Sequence, residues 1–425
     1  MTLRAFRKHQ ANVSTANEPA SRSWETWWDQ VSWWIKAIAL SITLVVCAAA
    51  VLASMVWELP LQTPLGQFST FQFLPEKNFD STGKVVYGFL PYWNLNKVSI
   101  QKELTHMGYF SLTIAGDGSL ITRESNGNEE PGFNKLKSDQ LLELSNQLES
   151  QGGSVELVLS QFYADDITNF LLSDKSQETF LNSLDSILLA YPFAGVNIDI
   201  ELAGSASPQL RNELTDFMAK LRQHLDKKYS KIQLSIDVYA SAAKNSQLWD
   251  IPALAPHVDY FIIMAYDFHR RTSPQAGPVA PLFGGRELWD SDINQHLQEF
   301  VKQVPSSKLL LGIPFYGYEW QTTSRDSQSH TFPDTGSTAS FERVQKLLQQ
   351  KEELKVEEHW NEEALSPYLS YIEDGLIYVT YYENSRSLSY KLDYVNQLDL
   401  GGIAIWALGY EANSRELWDV VGRKL

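Results

Sequence analysis

Three polar side chains recur at every second residue of the stretch GVNIDIE, where Asn197, Asp199 and Glu201 alternate with Val196, Ile198 and Ile200. In an extended chain successive side chains point to opposite faces, so the amide and both carboxyls share one face and the β-branched residues the other. Two carboxyls two residues apart on one face do not ionise independently. The like charge of Asp199, with partial burial, raises the pKa of Glu201 and lets it hold a proton near neutrality. Such a carboxyl can give a proton to a leaving group and later take one from water, which is general acid–base chemistry. A satisfied polar pair at a strand end is the other reading of the same residues.

The elements that would hold this row are spread over most of the chain. Apolar, β-rich runs stand at 85–90, 109–115, 155–162, 195–201, 232–239, 259–266, 308–315 and 402–408, and helical spacing marks QLLELSNQLES, PQLRNELTDFMAKLRQHL and INQHLQEFVKQV between them. Eight near-continuously apolar strands alternating with helices predict a closed parallel barrel with its helices outside, an α/β (β/α)8 architecture over 84–425. The wide gap before the last strand, 316–395, must hold a small α+β lobe, with one helix at FERVQKLLQQ and strands around SYIEDGLIYVTYYE. Polar residues at the C-terminal end of a barrel strand read as active site in this architecture. Glu201 would stand at the mouth, Asp199 one layer below and Asn197 deeper.

Composition narrows the function classes. The chain of 425 residues carries a net charge of −16, and the region before Trp57 contributes +2 to it. So acidic a body argues against nucleic acid as a partner. Cys47 is the only cysteine, so no internal disulfide and no thiolate metal cluster can form. Neither HExxH, a Gly-rich phosphate loop nor an acidic metal cluster occurs, and no cofactor or metal is expected. Residues 37–57 (AIALSITLVVCAAAVLASMVW) form an uncharged run of 21 residues, long enough to cross a bilayer as a helix. Arg4, Arg7, Lys8, Arg22 and Lys36 precede it, and Trp24, Trp27, Trp28, Trp33, Trp34 and Trp57 suit the interfaces. The expectation is a single-pass anchor at the cell membrane, with 1–36 cytoplasmic, 58–83 a Pro-containing linker and 84–425 outside. Cleavage after VLA, at Ser54, is the competing reading.

The residues that fill this frame resemble those of family 18 glycoside hydrolases, which include chitinases and peptidoglycan N-acetylglucosaminidases. Their fourth-strand motif D-x-x-D-x-D-x-E aligns to Ala194, Asn197, Asp199 and Glu201. VVYGFLPYW resembles their first strand, MAYD (264–267) the sixth-strand signature and AGPVAPL (276–282) the loop that follows. LGIPFYG (311–317) resembles the seventh strand and GGIAIWALG (401–409) the eighth. HW followed by SPY, then YYENSRSLSYK, resembles the lobe of cell-wall and spore-cortex members. Ala194 and Asn197 depart from the motif; the first should affect packing more than chemistry, and the second leans toward peptidoglycan over crystalline chitin.

The resemblance implies a TIM barrel that hydrolyses β-1,4-linked N-acetylglucosamine glycans with substrate assistance, the sugar's own 2-acetamido oxygen attacking the anomeric carbon. It implies Glu201 as general acid and Asp199 as holder of the acetamido N–H. It also implies Tyr266 on the acetamido carbonyl, Asp267 on the −1 sugar and Trp406 as the floor beneath it. Tyr92, Trp93 and Tyr316 are candidates for sugar stacking, and Asn197 is expected to donate to Asp199 and fix its rotamer. His269 reads as a satisfied loop histidine. A non-catalytic, lectin-like glycan-binding barrel is the alternative, against which the retained Glu201 argues; a scaffold for protein contacts is a third reading.

Overall fold

The computed structural model describes residues 83–425 apart from Ser230 and Ser246. The expected membrane span at 37–57, the segment before it and the spacer as far as residue 82 lie outside the described residues. Among the described residues no helix is long and apolar enough to cross a membrane.

Among the described residues there are thirteen strands: β1 (Val85–Pro91), β2 (His106–Thr113), β3 (Ser154–Gln161), β4 (Gly195–Ile200), β5 (Gln233–Tyr239), β6 (Tyr260–Met264), β7 (Leu309–Pro314), β8 (Tyr316–Thr322), β9 (Ser337–Ser340), β10 (Glu357–Asn361), β11 (Ser366–Glu373), β12 (Leu376–Tyr381) and β13 (Gly402–Trp406). Eight of them close into a barrel in the order β1-β13-β7-β6-β5-β4-β3-β2, every neighbouring pair parallel. All eight expected runs supply a barrel strand. The second begins earlier than its apolar run because His106, Met107 and Gly108 pair with Tyr87, Gly88 and Phe89. The sixth ends earlier, at Met264, where the Ala265 N–H turns back to donate to the Ile263 carbonyl at 2.7 Å.

The helices are α1 (Pro131–Leu136), α2 (Asp139–Ser150), α3 (Ala164–Leu171), α4 (Asp174–Ala190), α5 (Pro208–Lys228), α6 (Ile251–Leu254), α7 (Ile293–Phe300), α8 (Phe341–Gln349), α9 (Ser385–Gln397) and α10 (Glu416–Lys424). The helix after β4, α5, shows how local sequence sets these elements. Ser207 caps it by accepting from the Leu210 N–H, Pro208 occupies a first-turn position whose N–H is not needed, and Lys227 and Lys228 sit in the last turn. Leu210, Leu214, Phe217, Met218, Leu221 and Leu225 then fall on one buried stripe. Phe217 closes an aromatic cluster with Phe170 and Phe180, ring centroids 4.9 and 5.3 Å away.

Two cores result. Val196, Ile198 and Ile200 face outward from β4 into the layer between strands and helices. Inside the barrel, Tyr87, Phe89, Phe110, Val158, Ile262, Leu310 and Ala404 form an apolar cluster, while Glu156, Asn197, Asp199, Ser235 and Asp237 fill the β3–β5 side, all buried. An interior lined with carboxyls is not a stability device, since buried charge is costly.

The lobe is a five-stranded antiparallel sheet ordered β10-β11-β12-β8-β9. One face packs on α8 through Val344, Leu347, Leu369 and Tyr371. The other carries Tyr316, Tyr318, Trp320 and Tyr381 toward Tyr266 and Trp406. Gly317 makes the close approach of β8 to β12 possible, because a Cβ there would lie 1.7 Å from the Tyr381 carbonyl oxygen. The sheet ends at Tyr381. The following α9, capped by Asn384, buries Leu388, Leu392 and Val395 in the core shared with the barrel.

Candidate active site

Strands β4 and β5 build the centre of the site rung by rung. Their parallel register sets Asn197 beside Ser235 and Ile198 beside Ile236. Continuing it sets Asp199 beside Asp237 and Glu201 beside Tyr239. The side chains agree: Asn197 Nδ2 donates to Ser235 Oγ at 3.0 Å and to Asp237 Oδ1 at 2.8 Å. The Tyr239 hydroxyl is hydrogen-bonded to the Glu201 carboxyl. Below them Ser235 Oγ donates to Glu156 Oε2 at 3.2 Å.

This corrects the expected role of Asn197. It bonds across to β5 and not along its own strand to Asp199. The reason is spacing: residues two apart on one strand face are separated by about 6.6 Å of rise, whereas the neighbouring strand is only about 4.8 Å away. Asp199 is consequently left with its Oδ1 buried and without a partner.

Depth follows the expected order. Asn197 is fully buried, Asp199 is 3% exposed, and Glu201, one residue beyond the strand, is half-buried at the mouth. Burial pushes the Glu201 carboxyl above the usual carboxylate range, and Asp267 adds to this, while the Tyr239 bond and Arg270 pull the other way. Burial, then the charges of Glu201 and Asp237, push Asp199 well up. A half-buried acid beside a fully buried, partnerless carboxyl can deliver a proton at the rim while the inner group receives a donor from a bound molecule.

Tyr266 and Asp267 follow β6 on the opposite wall. Asp267 takes the left-handed conformation, φ +61°, which an Asp tolerates better than most side chains. Its Oδ1 accepts from the Tyr318 hydroxyl at 2.9 Å and from that of Tyr316. Tyr316 is 5% exposed, so it holds Asp267 and offers no open face for stacking. Burial pushes the Tyr266 hydroxyl well up, which keeps it a donor. Trp406 closes the floor with Phe110 and Phe89, centroids 4.7 and 5.6 Å away.

Glu201, Asp199, Asp237, Tyr239, Tyr266, Asp267, Tyr316 and Trp406 all line one cavity of about 910 Å³ at the C-terminal end of the barrel. Tyr92 and Trp93 do not. They line a neighbouring groove with Pro131 and Asn134, and Trp93, 48% exposed, touches the cleft's lining through its edge contact with Phe110 at 6.0 Å and its hydrogen bond with Tyr410. His269 Nδ1 is hydrogen-bonded to the Pro278 carbonyl at 2.9 Å, as a loop histidine would be. Among the described residues no group of three His, Cys, Asp or Glu is arranged to hold a metal ion.

Sequence reasoning missed Ser235, Asp237 and Tyr239. The signal was present, since QLSIDVY alternates polar and apolar residues just as GVNIDIE does. It also missed Arg270 and Lys244, two cations lining a cavity whose other charged groups include Asp199, Glu201, Asp237, Asp267 and Asp290.

Comparison with known proteins agrees with this geometry. The family model for glycosyl hydrolases family 18 matches residues 77–411. A cortical fragment-lytic enzyme of Bacillus anthracis is 23% identical over 322 residues, covering 73% of this chain and 66% of that one. Chitinase B of Serratia marcescens is 23% identical over 432 residues, covering 83% and 82%. Among solved structures, the Group IV chitinase of Ostrinia furnacalis in complex with allosamidin superposes with a TM-score of 0.68 at 18% identity, covering 80% of this chain and 97% of that one.

Proposed function

The chain belongs to glycosyl hydrolase family 18 and is a glycoside hydrolase; from this premise we propose that it cleaves β-1,4-linked N-acetylglucosamine glycans by substrate-assisted hydrolysis with retention. The observation that carries the reading is the buried, partnerless Oδ1 of Asp199, two residues below Glu201 in the cleft. An acceptor there without a donor suits the acetamido N–H of a −1 sugar. With that sugar on Trp406, Asp199 accepts the N–H and Tyr266 donates to the acetamido carbonyl. The carbonyl oxygen attacks the anomeric carbon, Glu201 passes its proton to the leaving glycosidic oxygen, and Asp199 balances the oxazolinium charge. Water then attacks the same carbon and returns a proton to Glu201. Two inversions leave the configuration retained. Proton NMR of the first product tests this: an inverted anomer, or cellulose oligomers cleaved as fast as GlcNAc oligomers, would refute it.

Of the two glycan classes, peptidoglycan is the better fit. Arg270 and Lys244 supply counter-charges for carboxylate-bearing substituents, which chitin lacks. Residues 37–57 hold the enzyme in the membrane, with the barrel outside. Reducing ends released from purified peptidoglycan and from GlcNAc oligomers decide the substrate.

A further inference from the structure

A carboxyl is absent from β4 where the family motif has one, at Asn197, and a carboxyl is present on the adjoining rung of β5, at Asp237. Asp237 is 2% exposed and lines the cleft. Asn197 Oδ1 and Asp199 Oδ1 are both buried acceptors without a donor. Asn197 is hydrogen-bonded to Asp237, and the strand register sets Asp199 beside it. A hydroxyl on Asp237 is the donor that neighbourhood lacks.

The substrate-assisted reading above, on which this inference rests, makes a demand of Asp199 that it cannot meet alone. Ionised and buried without a donor it would be costly; protonated, it could not balance the charge of the oxazolinium ion. Its proton needs somewhere to go as the sugar arrives. Glu201 is already protonated for its role as acid. Glu156 lies deeper, behind Ser235. The hydroxyls of Tyr87, Tyr239 and Tyr266 keep their own protons, burial pushing all three up. The Asn197 amide does not take a proton, and the Arg270 guanidinium across the mouth has none to accept.

We propose that Asp237 is the proton-sharing partner of Asp199. In the free enzyme the two carboxyls hold one proton between them, and sugar binding moves it from the Asp199 carboxyl oxygen to Asp237. One O–H bond breaks, one forms, and the charge of the pair stays at −1. Asp199 thus meets the substrate ionised, and Asp237 returns the proton when product leaves. Burial and neighbouring carboxyl charges push both groups up, the behaviour of sites that titrate as a pair.

The test is the pH–rate profile of the full chain on GlcNAc oligomers for Asp237→Asn and for the exchange Asn197→Asp/Asp237→Asn. Asp237→Asn keeps shape but cannot take a proton. Its kcat should fall about 10-fold or more, with KM little changed. Its acidic limb should move to higher pH, because Asp199 then has to lose its proton without a second carboxyl to share the one that remains. The exchange puts a carboxyl back on β4 and should restore both kcat and the limb. A limb for Asp237→Asn that overlays the native one, or an exchange no faster than Asp237→Asn in a chain that melts like the native one, overturns the proposal and leaves the substrate-assisted reading standing. A native chain that cleaves no GlcNAc glycan removes both.

Discussion

At the scale of single residues the site separates two tasks that one carboxyl could not perform. Under the proposed mechanism Glu201 at the rim must arrive protonated, and Asp199 below it must arrive ionised. Replacing Glu201 by Gln removes the proton donor and should lower kcat by about 10²–10⁴-fold. Asp199→Asn should also cripple turnover, whereas glycan binding, read by titration calorimetry, should persist in both because Trp406 and Phe110 remain. A native rate that is negligible, and that Glu201→Gln leaves unchanged along with binding, would return the lectin reading. Arg270 gives a second, signed prediction. Its charge pulls the Glu201 pKa down against burial, so Arg270→Gln should raise that pKa and carry the basic limb of the profile, where Glu201 loses its proton, to higher pH. The same variant should raise KM for peptidoglycan and leave KM for GlcNAc oligomers unchanged; equal effects on both would remove the case for carboxylate recognition. Glu201, Asp199, Tyr266, Asp267 and Trp406 were legible because their strands carry recognisable motifs. Asp237 and Tyr239 were not, although QLSIDVY shows the same alternation, because a partner across a sheet depends on register, and register is not written in either strand alone.

At the scale of elements the lobe is tied to the barrel at the junction of β12 and α9. Lys391 on α9 donates both to Oε1 and to Oε2 of Glu383, at 2.9 and 2.8 Å, with the two side chains only 1% and 2% exposed. Attraction across a dry pair repays its desolvation only while both partners are present. Lys391→Met strands the Glu383 carboxyl and should cost about 3–5 kcal/mol, read as a lower denaturant midpoint. The double replacement Glu383→Leu/Lys391→Met should recover much of that loss, and a single variant as stable as the native chain would show that the pair does not clamp the junction. Gly317 makes the complementary point, since Gly317→Ala drives a methyl into the Tyr381 carbonyl and should break β8 from β12. The barrel strands could be found from sequence because both their faces are buried and their runs are continuously apolar. The lobe strands were harder. β10 begins with exposed Glu357 and Glu358, one on each face, so neither face carries an apolar run. The helix α4 spaces Phe180, Leu181, Leu184 and Ile187 along one stripe and was there to be found. The chain from 385 on resembles lobe sequence yet packs with the barrel, because its apolar stripe faces the outer core.

At the scale of the molecule, the proposed anchor at 37–57 bears on where the enzyme works. The run 37–57 has no charge over 21 residues, and the five Lys and Arg residues before it are balanced by only three acidic ones. Such a run is long enough to span a hydrocarbon core of about 30 Å, and in the proposed topology the bias of basic residues would keep its N-terminal flank in the cytoplasm. The acidic remainder, −18 after that segment by difference, gains nothing from an anionic lipid surface, so in the proposed topology attachment would come from the span itself. In the proposed topology residues 58–83 would reach at most about 90 Å when fully extended, and would confine the cleft to glycan close to the membrane. The full chain should therefore sediment with membranes, remain there through alkaline and high-salt washes that strip peripheral proteins, and be released by detergent with its N-terminus intact. Protease added outside intact cells should remove the barrel and leave a short protected fragment that includes 37–57. A chain whose first residue is Ser54 and that is recovered in the soluble fraction would show that the run is a cleaved leader, and the confinement of the cleft to membrane-proximal glycan would fall with it.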